Sequence, residues 1–351
     1  MPTWSGILRE IQERTAQTGQ PAIDEIRRKY LVQLGQHTGR NVILYAGHFT
    51  VPISTDALPF VQILDEDLQG FMEVVAGLQG NDLDLILHSP GGSLEAAESI
   101  VCYLRSKFTN IRVIVPHLAQ SAATIIACSA DAIVMGKHSF LGPIDPQLLL
   151  QTPLGFRFLP AQSIVDQFAR AKDECRNKDN FPAWAPMLPQ YGPDLLVKSD
   201  NAIQLSRELV RQWLARYMFA GEPEQERNAK AEEISNWLGN HNAFRTHGKH
   251  IQRSELEKHR LNIVHLEIDQ HLQDLVLSVY HATTHTFANS RCVKIIENNL
   301  GMGFFKIINP SLGQAPPLPA GPPMQTTQHR RGLFPLILDF LFGTKRSDKG
   351  K

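Results

Sequence analysis

Apolar and polar positions divide this chain into a helical start, a strand–helix core and a helical second half. Ile7, Ile11, Ile23, Ile26, Tyr30 and Leu34 recur at helical spacing. They predict helix over residues 3–35, broken at Gly19-Gln20-Pro21. Asn41 to Tyr45 reads as a short strand. Residues 65–78 read as a helix with Phe71, Val74, Val75 and Leu78 on one face. Three runs rich in apolar residues follow, at residues 83–87, 111–115 and 131–135. Between the first two, Ser93 can cap a helix whose Leu94, Ala97, Val101, Leu104 and Phe108 repeat at helical spacing. Residues 121–128 read as a buried helix. Strand, crossover helix, strand implies parallel β-α-β units, and nearly continuous apolar strands imply a sheet covered on both faces.

The second half predicts helices over 161–178, 201–220, 225–238 and 266–288, a mostly looped stretch over 179–200, and a late strand over 304–308. From Asn309 to Arg331 the chain is rich in Pro, Gly and Gln and reads as a disordered linker. The expected organisation is a helical segment 1–40, a main domain 41–308, a linker 309–332 and an apolar, basic-ended tail 333–351. About ten apolar residues cannot span a bilayer. The tail is expected to dock into a groove, on this or a neighbouring subunit, or to touch a membrane surface with the help of Lys345 and Arg346.

Composition narrows the function. The 351 residues are 42% hydrophobic and 20% charged, as in ordinary globular proteins. Lys+Arg and Asp+Glu both number 35, so no net field draws the chain to nucleic acid. Cys102, Cys128, Cys175 and Cys292 are far apart and form no Cys-x-x-Cys pair. The chain shows no signal peptide and no apolar run of the roughly eighteen residues a spanning helix needs, so a reducing cytoplasm is the expected location.

The chemistry concentrates in two segments, Leu87-His88-Ser89-Pro90-Gly91-Gly92-Ser93 and Ala119-Gln120-Ser121-Ala122-Ala123. Each follows an apolar run and opens a helix. Acyl transfer needs a hydroxyl nucleophile and backbone N–H groups aimed at an oxyanion. Gly91 and Gly92 let the backbone approach a substrate closely. Ser121 is the candidate nucleophile. The N–H groups of Gly92 and Ala122 are the candidate oxyanion donors, with Gly91 beside them.

These segments resemble the ClpP/crotonase superfamily. With Ile26-Arg27-Arg28-Lys29-Tyr30, Thr38-Gly39-Arg40-Asn41-Val42-Ile43, Leu141-Gly142-Pro143-Ile144-Asp145-Pro146-Gln147 and Phe168-Ala169-Arg170-Ala171-Lys172, the chain resembles the serine dehydrogenase proteinase family, relatives of signal peptide peptidase A. The resemblance covers roughly residues 20–305. It implies an α/β fold, a ClpP/crotonase-like spiral of β-α-β units with added N- and C-terminal helices. It further implies a serine peptidase acting on peptide or protein, assembled as a homo-oligomer, with no metal or organic cofactor.

The general base is less local. Asp145 stands where the Clp branch places its histidine, which argues against that branch's arrangement here. The signal peptide peptidase branch uses a Ser-Lys dyad, so Lys172 is the candidate base. Val165, Phe168 and Lys172 share one helical stripe, and a lysine acts as a base when burial lowers its pKa. Lys178 is the fallback. His247 in Thr246-His247-Gly248, His117 and Asp145 are auxiliary candidates, and His88 could also reach the cleft. His281 and His285 lie one helical turn apart. Ala282 replaces the glutamate of a zinc peptidase motif, so they read as structural. The alternatives are a crotonase-type thioester enzyme, in which Ser121 is incidental, and a non-catalytic oligomeric scaffold.

Overall fold

The structure is a computed structural model that describes residues 1–152 and 155–308; the linker and tail expected beyond residue 308 lie outside it. Two helices open the chain, α1 (Trp4–Thr18) and α2 (Ile23–Thr38), with the predicted break between them. The core follows as β1 (Asn41–Gly47), α3 (Asp67–Val75), β2 (Asp82–His88), α4 (Leu94–Lys107), β3 (Asn110–Val115), β4 (Leu118–Ala119), α5 (Ala122–Cys128) and β5 (Ala132–Met135). Next come β6 (Phe140–Leu141), a hairpin of β7 (Gln147–Thr152) and β8 (Gly155–Pro160), and α6 (Ala161–Glu174). The second half holds α7 (Phe181–Trp184), α8 (Leu195–Trp213), α9 (Glu224–Leu238), α10 (His241–Phe244), β9 (Ile251–Gln252), α11 (Arg253–Lys258), β10 (Ile263–His265), α12 (Gln270–Asn289), β11 (Cys292–Asn298) and β12 (Gly303–Ile307).

The main sheet runs β10-β5-β3-β2-β1-β11-β12. Its first five strands are parallel, as the strand–helix alternation requires, and β11 and β12 add an antiparallel edge. Alternate residues feed two cores. Leu83, Leu85 and Leu87 pack with side chains of α3, α4, α5, α8 and α9. Ile86, Ile114 and Val134 pack with side chains of α2 and α12 on the opposite face. Ile7 and Ile11 of α1 meet Ile26 and Ala282, so the N-terminal helices lie against α12.

Three elements depart from expectation. Strand β11 carries Lys294 and Glu297 inside a fully buried strand, where a period-based reading discounts charge. Both are paired: Lys294 with Asp67, Glu297 with Arg27 and Arg28. In the hairpin β7–β8 no described residue is fully buried: β7 is mostly half-buried and β8 mostly exposed, so no core-facing row of side chains marks it. Helix α8 begins at Leu195, inside the stretch expected to be loop. No helix among the described residues is long and apolar enough to cross a membrane.

Candidate active site

Residues beyond the C-terminal ends of β2 and β3 form the floor of the site, the usual place for ligands in an open parallel sheet. The two segments are zipped together. Ser89 N–H donates to Leu118 O at 3.1 Å, and Gln120 N–H donates to Ser89 O at 3.0 Å. A third segment clamps the glycines. Ile63 N–H donates to Gly91 O at 2.8 Å, and Ser93 N–H donates to Ile63 O at 2.9 Å. This pattern turns the Gly92 N–H away from Ile63. Among the described residues, neither the Gly92 nor the Ala122 N–H donates a hydrogen bond.

Ser121 immediately precedes α5 and holds φ 54° and ψ −122°. Such a conformation costs a non-glycine residue about 1–3 kcal/mol and persists only where its surroundings enforce it. Gly91 is part of that enforcement. A Cβ there would lie 2.6 Å from Gln120 O and 2.7 Å from Ser121 Cβ. Behind the serine, Thr124 Oγ1 lies 2.9 Å from both Ala119 O and Gly142 O and accepts the Gly142 N–H at 3.0 Å. These bonds tie α5 to the strand β6 segment that leads to Asp145.

A cavity of about 570 Å³ opens over Ser121; Gly91, Gly92, Ala122 and His247 also line it. Its apolar wall includes Ile125, Ile144, Leu148, Leu149, Phe158 and Leu205. His247 arrives from far along the chain because β6 and β9 pair antiparallel, Leu141 opposite Ile251. Four residues after Leu141 and four before Ile251 stand Asp145 and His247, so the short ladder brings them together. Asp145 is 2% exposed. Its Oδ1 accepts His247 Nδ1–H at 2.8 Å. A carboxylate only accepts, so the network puts the proton on Nδ1 and leaves Nε2 as the basic nitrogen.

The other sequence candidates lie elsewhere. Lys172 is exposed on α6 and lines no part of this cavity, so the burial a lysine base needs is not met there. The buried side of α6 is Ala161, Ile164 and Ala171, one position out of register with the stripe through Lys172. Lys178 is exposed as well. His117 and His88 sit under the floor. His117 Nδ1 meets Tyr280 Oη at 2.9 Å, and His88 Nδ1–H points at Leu118 O at 3.1 Å. Burial drives the His88 pKa down to about 3, which keeps its ring neutral. On α12, His285 Nε2 reaches Trp4 O at 3.0 Å, and burial lowers His281 to about 4. A feature the sequence did not single out is His241, whose Nδ1 lies 2.7 Å from Asp145 Oδ2.

Comparison with known proteins matches residues 20–180 to the sequence family described as ClpP-like SDH-type serine proteinase. Two uncharacterized proteins of Methanocaldococcus jannaschii are similar. One is 40% identical over 103 residues, 29% of this chain and 34% of that protein. The other is 31% identical over 163 residues, 46% of this chain and 47% of that protein. The matches thus span a third to a half of these relatives' length. Among solved structures, a mutant of the membrane-bound stomatin-specific protease 1510-N aligns over 58% of this chain and 74% of its own, at 14% identity and TM-score 0.34. The ClpP protease catalytic domain of Plasmodium falciparum aligns over 62% and 94%, at 10% identity and TM-score 0.27. Over residues 20–180, the stretch that supplies Gly91, Gly92, Ser121 and Asp145 but not His247, this chain resembles the ClpP-like SDH-type serine proteinases in sequence.

Proposed function

We propose that this chain is a serine peptidase in which Ser121 is the nucleophile, His247 its general base and Asp145 the group that orients His247. The observation that carries the reading is the bond from half-buried His247 to buried Asp145, with His247 lining the cavity that also holds Ser121. Ser121 Oγ attacks the peptide carbonyl as His247 Nε2 takes its proton. The N–H groups of Gly92 and Ala122 stabilise the resulting oxyanion. Collapse breaks the C–N bond, and His247 returns the proton to the leaving amine. A water, deprotonated by the same nitrogen, then releases the acyl group as a carboxylic acid and restores Ser121. The Asp145 carboxylate stabilises the imidazolium in both halves. The apolar wall suits an apolar side chain on the acyl side of the cleaved bond. Assembly into a homo-oligomer and surface contact through residues 333–351 belong to the same reading; sedimentation and liposome flotation test them.

The assay is labelling by a fluorophosphonate probe, followed by intact mass. Wild type and Lys172→Met take one adduct at similar rates. Ser121→Ala takes none, and His247→Gln reacts at least about a hundredfold more slowly. An adduct that persists in Ser121→Ala overturns the nucleophile. A dead Lys172→Met beside a reactive His247→Gln returns the base to lysine.

A further inference from the structure

Asp145 is held from both sides. Its Oδ1 takes the His247 N–H, while its Oδ2 faces His241 Nδ1 at 2.7 Å and the Gln147 amide at 3.2 Å. His241 is held in turn: Ser163 Oγ lies 3.2 Å from its Nε2. Ser163 sits in the first turn of α6, and His241 opens α10. Neither lines the cavity above Ser121. The second imidazole therefore contacts neither the nucleophile nor the space for a substrate, yet it touches the carboxylate that the proposed base depends on.

We propose that His241 is a positioning residue, which fixes the rotation of the Asp145 carboxylate so that Oδ1 stays aimed at His247. This rests on the reading of His247 as base. The terminal torsion of an aspartate is broad and poorly restrained by its own rotamer preferences. Oδ2 has two donors in reach, and the Gln147 amide at 3.2 Å is the longer, so His241 at 2.7 Å is the main restraint on that oxygen. Donors on both oxygens, approaching from different elements, pin the carboxylate plane. His241 can serve as that second donor only in the tautomer with its proton on Nδ1. The Asp145 carboxylate, which only accepts, selects that tautomer, and the Ser163 hydroxyl matches it by donating to Nε2. The order of donation is Ser163 to His241, His241 to Asp145, and His247 to Asp145 from the opposite side. Both histidines thus keep Nδ1 protonated, and only His247 presents its free Nε2 to the cavity.

The test measures kinact and KI for a fluorophosphonate, with proton NMR of the downfield imidazole N–H region as an independent readout. Wild type shows a carboxylate-bonded N–H resonance from each of these two histidines, beside those of His37 on Asp269 and His265 on Glu257, and the variants assign them. His241→Ala loses its own resonance and broadens that of His247. Its kinact falls about ten- to a hundredfold, the scale of a slightly misaimed catalytic group, while KI stays unchanged. His241→Asn keeps an N–H where Nδ1 stood and recovers most of kinact. Ser163→Ala, which leaves every group on Asp145 in place, gives a smaller loss in the same direction and guards against a folding artefact in His241→Ala. Wild-type kinact in a folded His241→Ala, with His247→Gln inactive, overturns the proposal and leaves His247 as base. Wild-type kinact in His247→Gln removes the base itself, and the positioning role falls with it.

Discussion

Removing Lys294 tests how the floor of the site is held. Its ammonium is 1% exposed and makes three short bonds, to Asp67 Oδ1 at 2.6 Å, Asp67 Oδ2 at 2.8 Å and Gln62 O at 2.6 Å. Asp67 also accepts Tyr45 Oη–H at 2.5 Å and Leu64 N–H at 2.9 Å. Burial outweighs the pull of Asp67 and holds Lys294 below the ordinary lysine pKa, while burial and Asp67 together push Tyr45 well above the ordinary tyrosine value. The attraction to Asp67 thus does not offset the burial of the ammonium, but breaking the pair strands a carboxylate in the core. Lys294→Met should cost about 3–5 kcal/mol. For a unit of this size that lowers Tm by roughly 5–15 °C. Adding Asp67→Asn removes the stranded charge while keeping an acceptor for Tyr45, so the double variant should regain most of the loss. Gln62 and Leu64 flank Ile63, whose backbone clamps Gly91 and Ser93, so kinact should fall along with stability. Differential scanning calorimetry on the single and double variants decides it. A Tm change under about 2 °C in Lys294→Met, or strictly additive losses in the double variant, refutes the reasoning.

Three further outcomes follow from the same geometry. Gly91→Ala must place a methyl group 2.6–2.7 Å from Gln120 O and Ser121 Cβ at φ +93°, so its labelling by fluorophosphonate should collapse; wild-type labelling by a folded variant would show that the floor can shift. His88 titrates near 3 in the fold against about 6.5 in an unfolded chain, so the unfolded state binds the extra proton and stability falls as pH drops from about 6.5 toward about 3. Tm measured against pH should fall less steeply in His88→Asn, and an unchanged slope would remove His88 as the cause. Phe158→Ser, on the apolar wall, should raise KI for a phosphonate with a bulky apolar tail and leave that of a small one unchanged. Equal changes for both probes would detach Phe158 from substrate selection.

The parallel core was legible because its strands are apolar runs joined by helices with clean periodicity, and the meeting of the Gly91-Gly92 and Ser121 segments was legible because each lies just beyond such a run. What escaped did so for particular reasons. Strand β11 hides two buried charges whose partners come from α2 and α3, so no local pattern marks it. The Asp145–His247 pair joins positions 102 residues apart through a ladder of two residue pairs, and nothing in either segment announces the other. Lys172 lies exposed for a rotational reason: Val165 and Phe168 are only half-buried, and α6 turns Ala161, Ile164 and Ala171 inward instead. The strain at Ser121 had no signal in composition, because it comes from contact with Gly91 and the zipped strand ends.

The cavity has two walls of unlike construction. The floor under Ser121 is stitched by backbone bonds from three segments and set on a buried ion pair. Another wall belongs in part to the β7–β8 hairpin, whose two strands pair with each other and, among the described residues, with no other strand, and whose Leu149 and Phe158 stay largely exposed. On the proposed function, the bond-breaking groups and the groups that choose the substrate lie mostly on separate pieces of chain. Exchanging residues 148–159 for others, with Gln147 and its bond to Asp145 kept, should retune which peptides are accepted while the rate of bond cleavage, once bound, stays where the floor sets it.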